Sequence, residues 1–414
     1  MSRLVETVVP RRLGRPFRWL LASSWVTNLG DGIALAAGPL LIASQTHDPL
    51  LVALAPLLQQ LPWLLFGLYA GVLADRLDRR LLIMVGDLAR AGVVAVLVGL
   101  IWTDTLSITL LLALLFLVGV AETFVDTTGG TLAPMLVAKA DLGIANARVF
   151  TGYLTLNQLA GPPVGAALFA AGLAWPFAAQ SVLMVFGVVL ISRMRLPAHG
   201  LARTERSHVR ADIAEGLRWL WRHPPVRTLA LTIVSFNVTW GAAWSVLVLY
   251  ATVHLGMSEV GFGLLTTAIA IGGLVGTASY GWLERRVELG TLMRVCLTLE
   301  VATHLALAVA PAPWVAMVIM VVFGAYAFVW GTLSSAVRQR AVPMAFQGRV
   351  TSVYNVGVFG GMVVGSALGG LIARHFGVTA PFWFAGVGSA LILALIWRQL
   401  PQIAHAEEPV GEPA

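Results

Sequence analysis

Charge, cysteine and lysine are all scarce in this 414-residue sequence. Charged residues make up 11% of it, where a soluble globular domain carries roughly 25%. So little charge cannot coat a water-facing surface, which excludes a soluble enzyme and a disordered chain. The lone Cys296 cannot form an internal disulfide, so a disulfide-built scaffold is excluded too. The basic residues are arginines except for Lys139, and the net charge of +7 is not gathered on any polar domain, so nucleic acid is not an expected partner. There is no His-Glu-x-x-His pair, no Gly-x-Ser-x-Gly elbow, no phosphate-cradling glycine loop and no dinucleotide fingerprint. An enzyme, a metal site and a cofactor are therefore not expected, and ATP is not an expected direct source of energy.

Apolar length, by contrast, is abundant. Hydrophobic residues make up 58% of the chain, and its mean hydropathy is +0.83. A helix that crosses a bilayer needs about 20 apolar residues. Twelve such runs follow one another: 19–43, 51–73, 81–102, 106–127, 147–171, 174–193, 228–253, 260–282, 291–310, 314–336, 350–373 and 378–397. Turn residues or charge separate them, as at His47-Asp48-Pro49 and Pro311-Ala312-Pro313. No water reaches the bilayer core, so each run must satisfy its own backbone and is expected to be a helix. The first run follows Arg11, Arg12, Arg15 and Arg18 and is too long for a cleaved leader, so it reads as a retained span.

Basic residues set the orientation. With the N-terminus in the cytoplasm, all 27 fall on the cytoplasmic side except Arg90, inside a span, and Arg374, on the opposite face. Both termini are thus expected to be cytoplasmic, in a multi-pass protein of the inner membrane. The expected parts are a six-helix half over 1–193, a linker over 194–227, a second six-helix half over 228–400 and a short polar tail over 401–414. In the linker, Glu205, Arg206, Asp212, Glu215, Arg218 and Arg222 interleave with Ile213, Leu217, Trp219, Leu220 and Trp221. That spacing fits an amphipathic helix on the membrane surface; a plain connector is the alternative.

The halves resemble each other. Asn28 and Gly32 of the first span correspond to Asn237 and Gly241 of the seventh, and Gly161-x-x-x-Gly165 of the fifth to Gly361-x-x-x-Gly365 of the eleventh. A repeat in the same orientation implies a pseudo-twofold axis along the membrane normal, with substrate bound near midplane.

Polar residues inside the spans are the candidates for chemistry. Asp31 sits at the centre of the first. A charge there costs about 2.5–3.5 kcal/mol even on the lenient insertion scale, and desolvation favours a carboxyl's protonated form. Asp31 therefore reads as a proton-coupling site, or else as a carboxyl bonded to neighbours such as Asn28 to hold helices together. Glu122 and Asp126 share one face of the fourth span. Glu122 is a second candidate for proton or cation handling, with pairing to Arg79, Arg80 or Arg90 as the alternative for both acids, and the favoured one for Asp126. Asp87 and Arg90 on the third span read as a mutually neutralising, mainly structural pair. Glu300 and His304 on the ninth pair in the same way, with a proton relay as the other reading.

Trp25 and Asn28, with Asn237, Trp240, Trp244, Tyr326 and Trp330, form a second set. Indoles and amides suit a pocket for bulky, partly apolar ligands and cations. Tyr153, Asn157, Gln158, Tyr354 and Asn355 add polar groups on spans five and eleven. Tryptophans near span ends anchor at the interface instead, as fits Trp102, Trp175, Trp314 and Trp397.

Between spans two and three the chain reads Gly71-Val-Leu-Ala-Asp75-Arg76-Leu-Asp78-Arg79-Arg80. This resembles the loop signature of the major facilitator superfamily, with Asp78 where that family has glycine. With Asn28-Leu-Gly-Asp31 and Ala145-Asn146-Ala147, it looks like the branch of macrolide-efflux and enterobactin-exporter-type proteins. Gly71 is expected to let two helices approach closely, Asp75 to accept from a neighbouring helix N-terminus, and Arg79 or Arg80 to reach Asp126. The resemblance implies that Gly71, Asp75, Arg76, Arg79, Arg80 and Asp126 form a latch of the outward-open state. Gly161-Pro162-Pro163-x-Gly165 resembles the antiporter element of the superfamily, where proline kinks the helix and glycine permits close packing. The arginine that many proton antiporters carry on span four is absent.

The fold implied is an all-α membrane protein of twelve helices in two pseudo-twofold-related halves, able to work as a monomer. The function implied is secondary active export of amphipathic small molecules, such as drugs or secondary metabolites, in exchange for protons by rocking of the halves. Its partners are then a small-molecule substrate, protons and the lipid bilayer. A siderophore exporter, a nutrient importer and a non-transporting receptor are the alternatives.

Overall fold

Each apolar run becomes helical. The computed structural model describes residues 11–194 and 209–406 except Ala345, and the side chains of these except Arg11, Asp75 and residues 209–212. The spans are Gly14–Gln45, Pro49–Arg76, Arg79–Trp102, Ile108–Gly129, a fifth in three segments, Trp175–Ser192, a bent seventh, Glu259–Arg286, Leu289–Ala308, Pro313–Ala341, Gln347–Phe376 and Ala380–Ile396. Nine of the described helices are by themselves long and apolar enough to cross a bilayer, or ten counting the bent seventh. The segmented fifth and the shorter twelfth complete the set that the sequence predicts.

Local chemistry explains the breaks. The seventh span runs Pro224–Trp244, then bends by 42° into Leu247–His254. The fifth runs Leu142–Gly152, widens to a π-helix over Tyr153–Ala160, and returns to α-helix over Gly161–Ala171. Pro162 and Pro163 carry no N–H, so the turn before them loses its usual donors. The Leu159 carbonyl accepts from the Thr267 hydroxyl at 3.4 Å instead, a side-chain substitute of the kind membrane helices use at proline. Asp78, the departure from the loop signature, caps the third span by accepting from the Leu81 N–H at 3.0 Å.

The chain forms two compact units. One comprises Met1–Thr46, Leu61–Glu205 and Ser258–Thr267; the other comprises His47–Gln60, Arg206–Met257 and Ala268–Ala414. In the first, span one packs on spans five and six, and span three on spans four and six. In the second, span seven packs on eleven and twelve, and span nine on ten and twelve. The pairing repeats element for element. Each unit also holds a short piece from the other end of the sequence. Gly263 of span eight seats its backbone on Pro162, and the start of span two lies against Gly370, with Asp48 3.8 Å from Arg374.

The repeated glycines are where helices cross. A methyl group on Gly32 would come within 2.5 Å of the Asn157 carbonyl oxygen, and one on Gly161 equally close to the Gly32 backbone. In the second half a methyl on Gly241 would meet the Met362 carbonyl at 2.9 Å, and one on Gly361 the Val234 carbonyl at 2.7 Å. Small residues let these backbones touch, which drives helix association in lipid.

The linker does contain a helix, Val209–Arg222. Glu205 and Arg206 lie outside the described residues, as does the Asp212 side chain. Trp219 and Leu220 are buried; Trp219 stacks on Phe346 at 6.0 Å, and Glu215 pairs with Arg349 at 3.2 Å. This face therefore sits on the start of span eleven, while Leu217 and Trp221 stay exposed. The tail begins as a short helix, Leu400–Ala404, whose Leu400 and Ile403 are buried.

Candidate functional site

Polar residues of the first, third and fourth spans converge on Arg90. Its guanidinium is only 2% exposed and lies 2.6 Å from Asp31 on span one, 3.3 Å from Asp87 on its own helix and 3.9 Å from Glu122 on span four. Gln180 of span six donates to the same Asp31 oxygen at 3.5 Å. Three spans thus meet at one guanidinium, and span six joins them through Asp31. Arg90 carries one positive charge against three carboxylates within ion-pair reach. If all are ionised, two negative charges remain, and protons or a cation must offset them in a medium that penalises bare charge. Access is unequal: the Asp87 side chain is sealed, whereas those of Asp31 and Glu122 are 24% and 37% exposed.

Two expectations are corrected here. Asn28 does not hold Asp31; its amide turns back to the Ser24 carbonyl at 2.7 Å, the local bond a short polar side chain makes within its own helix. Asp87 and Arg90 are not a closed pair either, because the shorter bond of Arg90 crosses to Asp31. Charge counting across spans would have found this, since one buried arginine faces several mid-span acids.

The antiporter-like element abuts the same place. Gly165 seats its backbone on the carbonyl of Ile33, and Gly161 on Gly32, the two residues that follow Asp31. Pro162, buried between them, lies at the start of the α-helical segment.

The loop between spans two and three is built differently from expectation. Gly71 faces open space, since a methyl there would meet nothing within 4 Å among the described residues; its small size is not used for a close helix contact in this structure. Arg76 is exposed. Arg79 donates to the Ala74 carbonyl at 2.9 Å and to the Met135 sulfur, and Arg80 donates to the Ser192 carbonyl at the end of span six. Asp126 is exposed. The Asp75 side chain lies outside the described residues.

The aromatic set divides. Trp25 donates its indole N–H to the Arg148 carbonyl at 3.1 Å and packs on Gly152, so it is engaged with span five. In the second unit, Asn237 bonds back to the Ile233 carbonyl at 2.8 Å. Trp240 stacks on Phe323 with ring centroids 4.3 Å apart and lies 5.0 Å from Trp244. The Tyr326 hydroxyl bonds Glu300 at 2.9 Å and Thr303 at 3.1 Å, and the Glu300–His304 pair closes at 3.0 Å. Trp330, one turn beyond Tyr326, is half-buried. Spacing along the sequence reveals the Glu300–His304 pair, but Phe323 and the tyrosine bond join from another helix and left no local signal. Among the described residues, no three His, Cys, Asp or Glu side chains are grouped to hold a metal ion.

Comparison with known proteins agrees with this architecture. The family described as transmembrane secretion effector matches residues 9–411. The multidrug efflux pump Tap of Mycolicibacterium fortuitum is 27% identical over 413 residues, covering 95% of this chain and 98% of that protein. The enterobactin exporter EntS of Citrobacter koseri is 26% identical over 405 residues, covering 96% and 94%. Among solved structures, a bacterial homologue of the iron transporter ferroportin in its inward-facing state superposes with a TM-score of 0.75 at 17% identity, over 97% of this chain and all of that one. The nucleoside transporter NupG gives 0.72 at 10% identity, over 95% of this chain and all of that one. At such identities these two structures speak for the shared fold alone.

Proposed function

On the footing that the chain belongs to the transmembrane secretion effectors of the major facilitator superfamily, we propose that it exports amphipathic small molecules in exchange for protons. The observation that carries this reading is the Arg90 centre. A fixed cation shared by Asp31, Asp87 and Glu122, with two of the three acids accessible, is a site that can bind and release protons. Protonation of Asp31 removes the charge from its bond to Arg90. Arg90 stays anchored by Asp87 and its released amino group turns to Glu122. Span three is then bonded to span one in one state and to span four in the other. Gly161 and Gly165 pack against Gly32 and Ile33, beside Asp31, so the same change reaches the element that resembles the antiporter motif.

Residues 1–193 and 228–400 are the two bodies of the alternating-access cycle in this reading. Gly71, Asp75, Arg76, Arg79, Arg80 and Asp126 hold one state at the cytoplasmic end. Trp25, Asn28, Asn237, Trp240, Trp244, Tyr326 and Trp330 offer surface to the substrate. The asymmetry of basic residues supports cytoplasmic termini in an inner membrane. The Tap relatives favour drug-like substrates; the EntS relatives support a siderophore as the second reading. A screen of ligand accumulation in cells with and without the protein, repeated with a protonophore, separates these. Lower accumulation that depends on the protein and disappears with protonophore is expected; equal accumulation of all ligands in both cell types contradicts export.

A further inference from the structure

Spans ten to twelve carry positive charge without acids of their own. No Asp or Glu lies between Glu300 and Glu407, yet the same stretch holds Arg338, Arg340, Arg349, Arg374 and Arg398. Arg349 and Arg374 find acids from elsewhere in the second unit: Arg349 pairs with Glu215 of the linker helix at 3.2 Å, and Arg374 lies 3.8 Å from Asp48. Arg338, in the last turn of span ten, has no acid within ion-pair reach among the described residues. It leans instead on Tyr354 of span eleven, 4.3 Å from the ring centroid.

Arg338 lines a cleft of about 190 Å³, with Gln339 and Val342 from the end of span ten and Gln347, Val350 and Thr351 from the start of span eleven. That is room for a small group and some water, and too little for a drug-sized ligand, whose pockets run from about 300 to 1,000 Å³. The end of span ten offers the cleft few acceptors. The Gln347 amide donates to the Gln339 and Val342 carbonyls at 3.2 and 3.3 Å, and the Val342 N–H to the Arg338 carbonyl at 3.1 Å. The start of span eleven is the reverse, with no side-chain cap and no acid in its first turn. The first N–H groups of a helix have no partner within it, and that end of the helix favours an anion. Gly348, in this first turn, faces open space, which leaves the backbone approachable.

Tyr354 is a second and independent mark of a missing group. It is buried, and its hydroxyl has no hydrogen-bond partner among the described residues. A buried hydroxyl left unmatched destabilises the fold. Arg338 supplies donors alone, so the proton of this hydroxyl needs an acceptor from outside. Helical side chains lean toward the N-terminus of their helix, so Tyr354 leans toward the turn of Val350 and Thr351 that lines the cleft. A guanidinium that swings off the ring to grip an anion uncovers the hydroxyl, which then donates to the same anion.

We propose that this cleft between the ends of spans ten and eleven binds a phosphate group, either free phosphate or the headgroup of an anionic phospholipid. The planar fork of Arg338 matches two phosphate oxygens, the open start of span eleven meets a third, and the Tyr354 hydroxyl donates to one of them. A carboxylate has two oxygens and would leave part of this donor set unmet. An anion so held bonds span ten to span eleven and supplies the negative charge that this stretch of sequence lacks. The site shares no residue with the Arg90 centre, and its occupation needs neither a transported substrate nor a gradient.

Equilibrium dialysis of the purified full-length protein in neutral detergent with radiolabelled inorganic phosphate tests this, at an ionic strength held constant with chloride. Wild-type protein is expected to bind phosphate, and sulfate, of the same shape, to compete. Arg338→Gln is expected to weaken binding at least about tenfold, the loss of a charge-assisted bond, and Arg338→Lys, which keeps the charge without the fork, to weaken it less. Arg340→Gln, exposed in the same turn, removes an equal charge and is expected to bind as wild type does. Tyr354→Phe gives a readout that a merely structural tyrosine would not. Without phosphate it should melt no lower than wild type, because it deletes an unmatched hydroxyl, yet phosphate should raise its melting temperature less. Nanodiscs identify the source. Displacement of labelled phosphate by phosphatidylglycerol, but not by phosphatidylcholine, assigns the site to a lipid headgroup; equal binding in both assigns it to free phosphate. The proposal is overturned if wild-type protein binds no phosphate, if folded Arg338→Gln binds it as wild type does, or if Arg340→Gln loses as much. Should Arg338→Gln not fold, a Tyr354→Phe protein that gains as much from phosphate as wild type overturns it.

Discussion

The guanidinium of Arg90 on the third span lies 2.6 Å from the carboxylate of Asp31 on the first, closer than it lies to Asp87 one turn away on its own helix. An ion pair within a helix leaves the helices indifferent to one another. A pair between helices makes their contact depend on the charge of Asp31, and that dependence lets a proton become a change of shape.

Removing Arg90 should therefore do more damage than removing either acid. Arg90→Ala leaves Asp87 buried, and Asp31 partly buried, against no cation, and breaking a buried pair in this way costs about 3–5 kcal/mol. We predict a large loss of thermal stability in detergent for Arg90→Ala. Arg90→Lys should lose less, since it keeps the charge but not the fork that serves several carboxylates at once. Equal melting of wild type and Arg90→Ala would remove Arg90 from the centre of the structure.

The glycines of the two loop and span motifs should behave in opposite ways. Gly165 meets the Ile33 backbone and Gly71 meets open space. Gly165→Leu should force spans one and five apart and destabilise by about 1–3 kcal/mol or more. Gly71→Ala should be neutral, or stabilising by up to about 1 kcal/mol, because alanine is the better helix former. Melting curves of the two variants decide the matter, and a severe defect in Gly71→Ala would restore a close contact at that position.

Asp78 should act as a helix cap. Asp78→Ala removes the acceptor for the Leu81 N–H and should cost about 1 kcal/mol, with Asp78→Asn largely tolerated. Asp78→Gly, which restores the superfamily's glycine, should cost only a few tenths of a kcal/mol. Stability measured for the three variants orders them; a loss in Asp78→Asn equal to that of Asp78→Ala would point to the charge in place of the cap.

The linker helix should be held by packing more than by charge. Trp219 is buried on Phe346, while the Glu215–Arg349 pair is partly open to solvent. Trp219→Ala should cost about 3 kcal/mol or more. A double-mutant cycle over Glu215 and Arg349 should return under about 1 kcal/mol. A larger coupling than that would make the ion pair the main attachment.

How far the sequence could be read follows from where each signal lies. Helix existence is a property of one run of residues, so hydropathy revealed every span. The glycine repeats were legible because Gly32 and Gly241, or Gly161 and Gly361, occupy matched positions whose crossings force the same residue. Partners on other helices were not legible. Spacing along span three offers Asp87 to Arg90 and is blind to Asp31, and spacing along span nine offers His304 to Glu300 and is blind to Tyr326. The loop glycine misled because Gly71 matches a motif without making the contact that its small size permits. The π-helical turn before Pro162 was also hidden: proline marks a lost hydrogen bond, but whether the helix kinks or widens depends on partners such as Thr267, far along the chain.

Proton coupling through Asp31 is tested most directly with purified protein in liposomes carrying an imposed pH gradient, wild type beside Asp31→Asn. We predict that the gradient drives a transported ligand uphill in wild type, and that Asp31→Asn folds and binds the ligand yet accumulates none above equilibrium. Uphill transport by Asp31→Asn at the wild-type rate and with the same dependence on the gradient would contradict it.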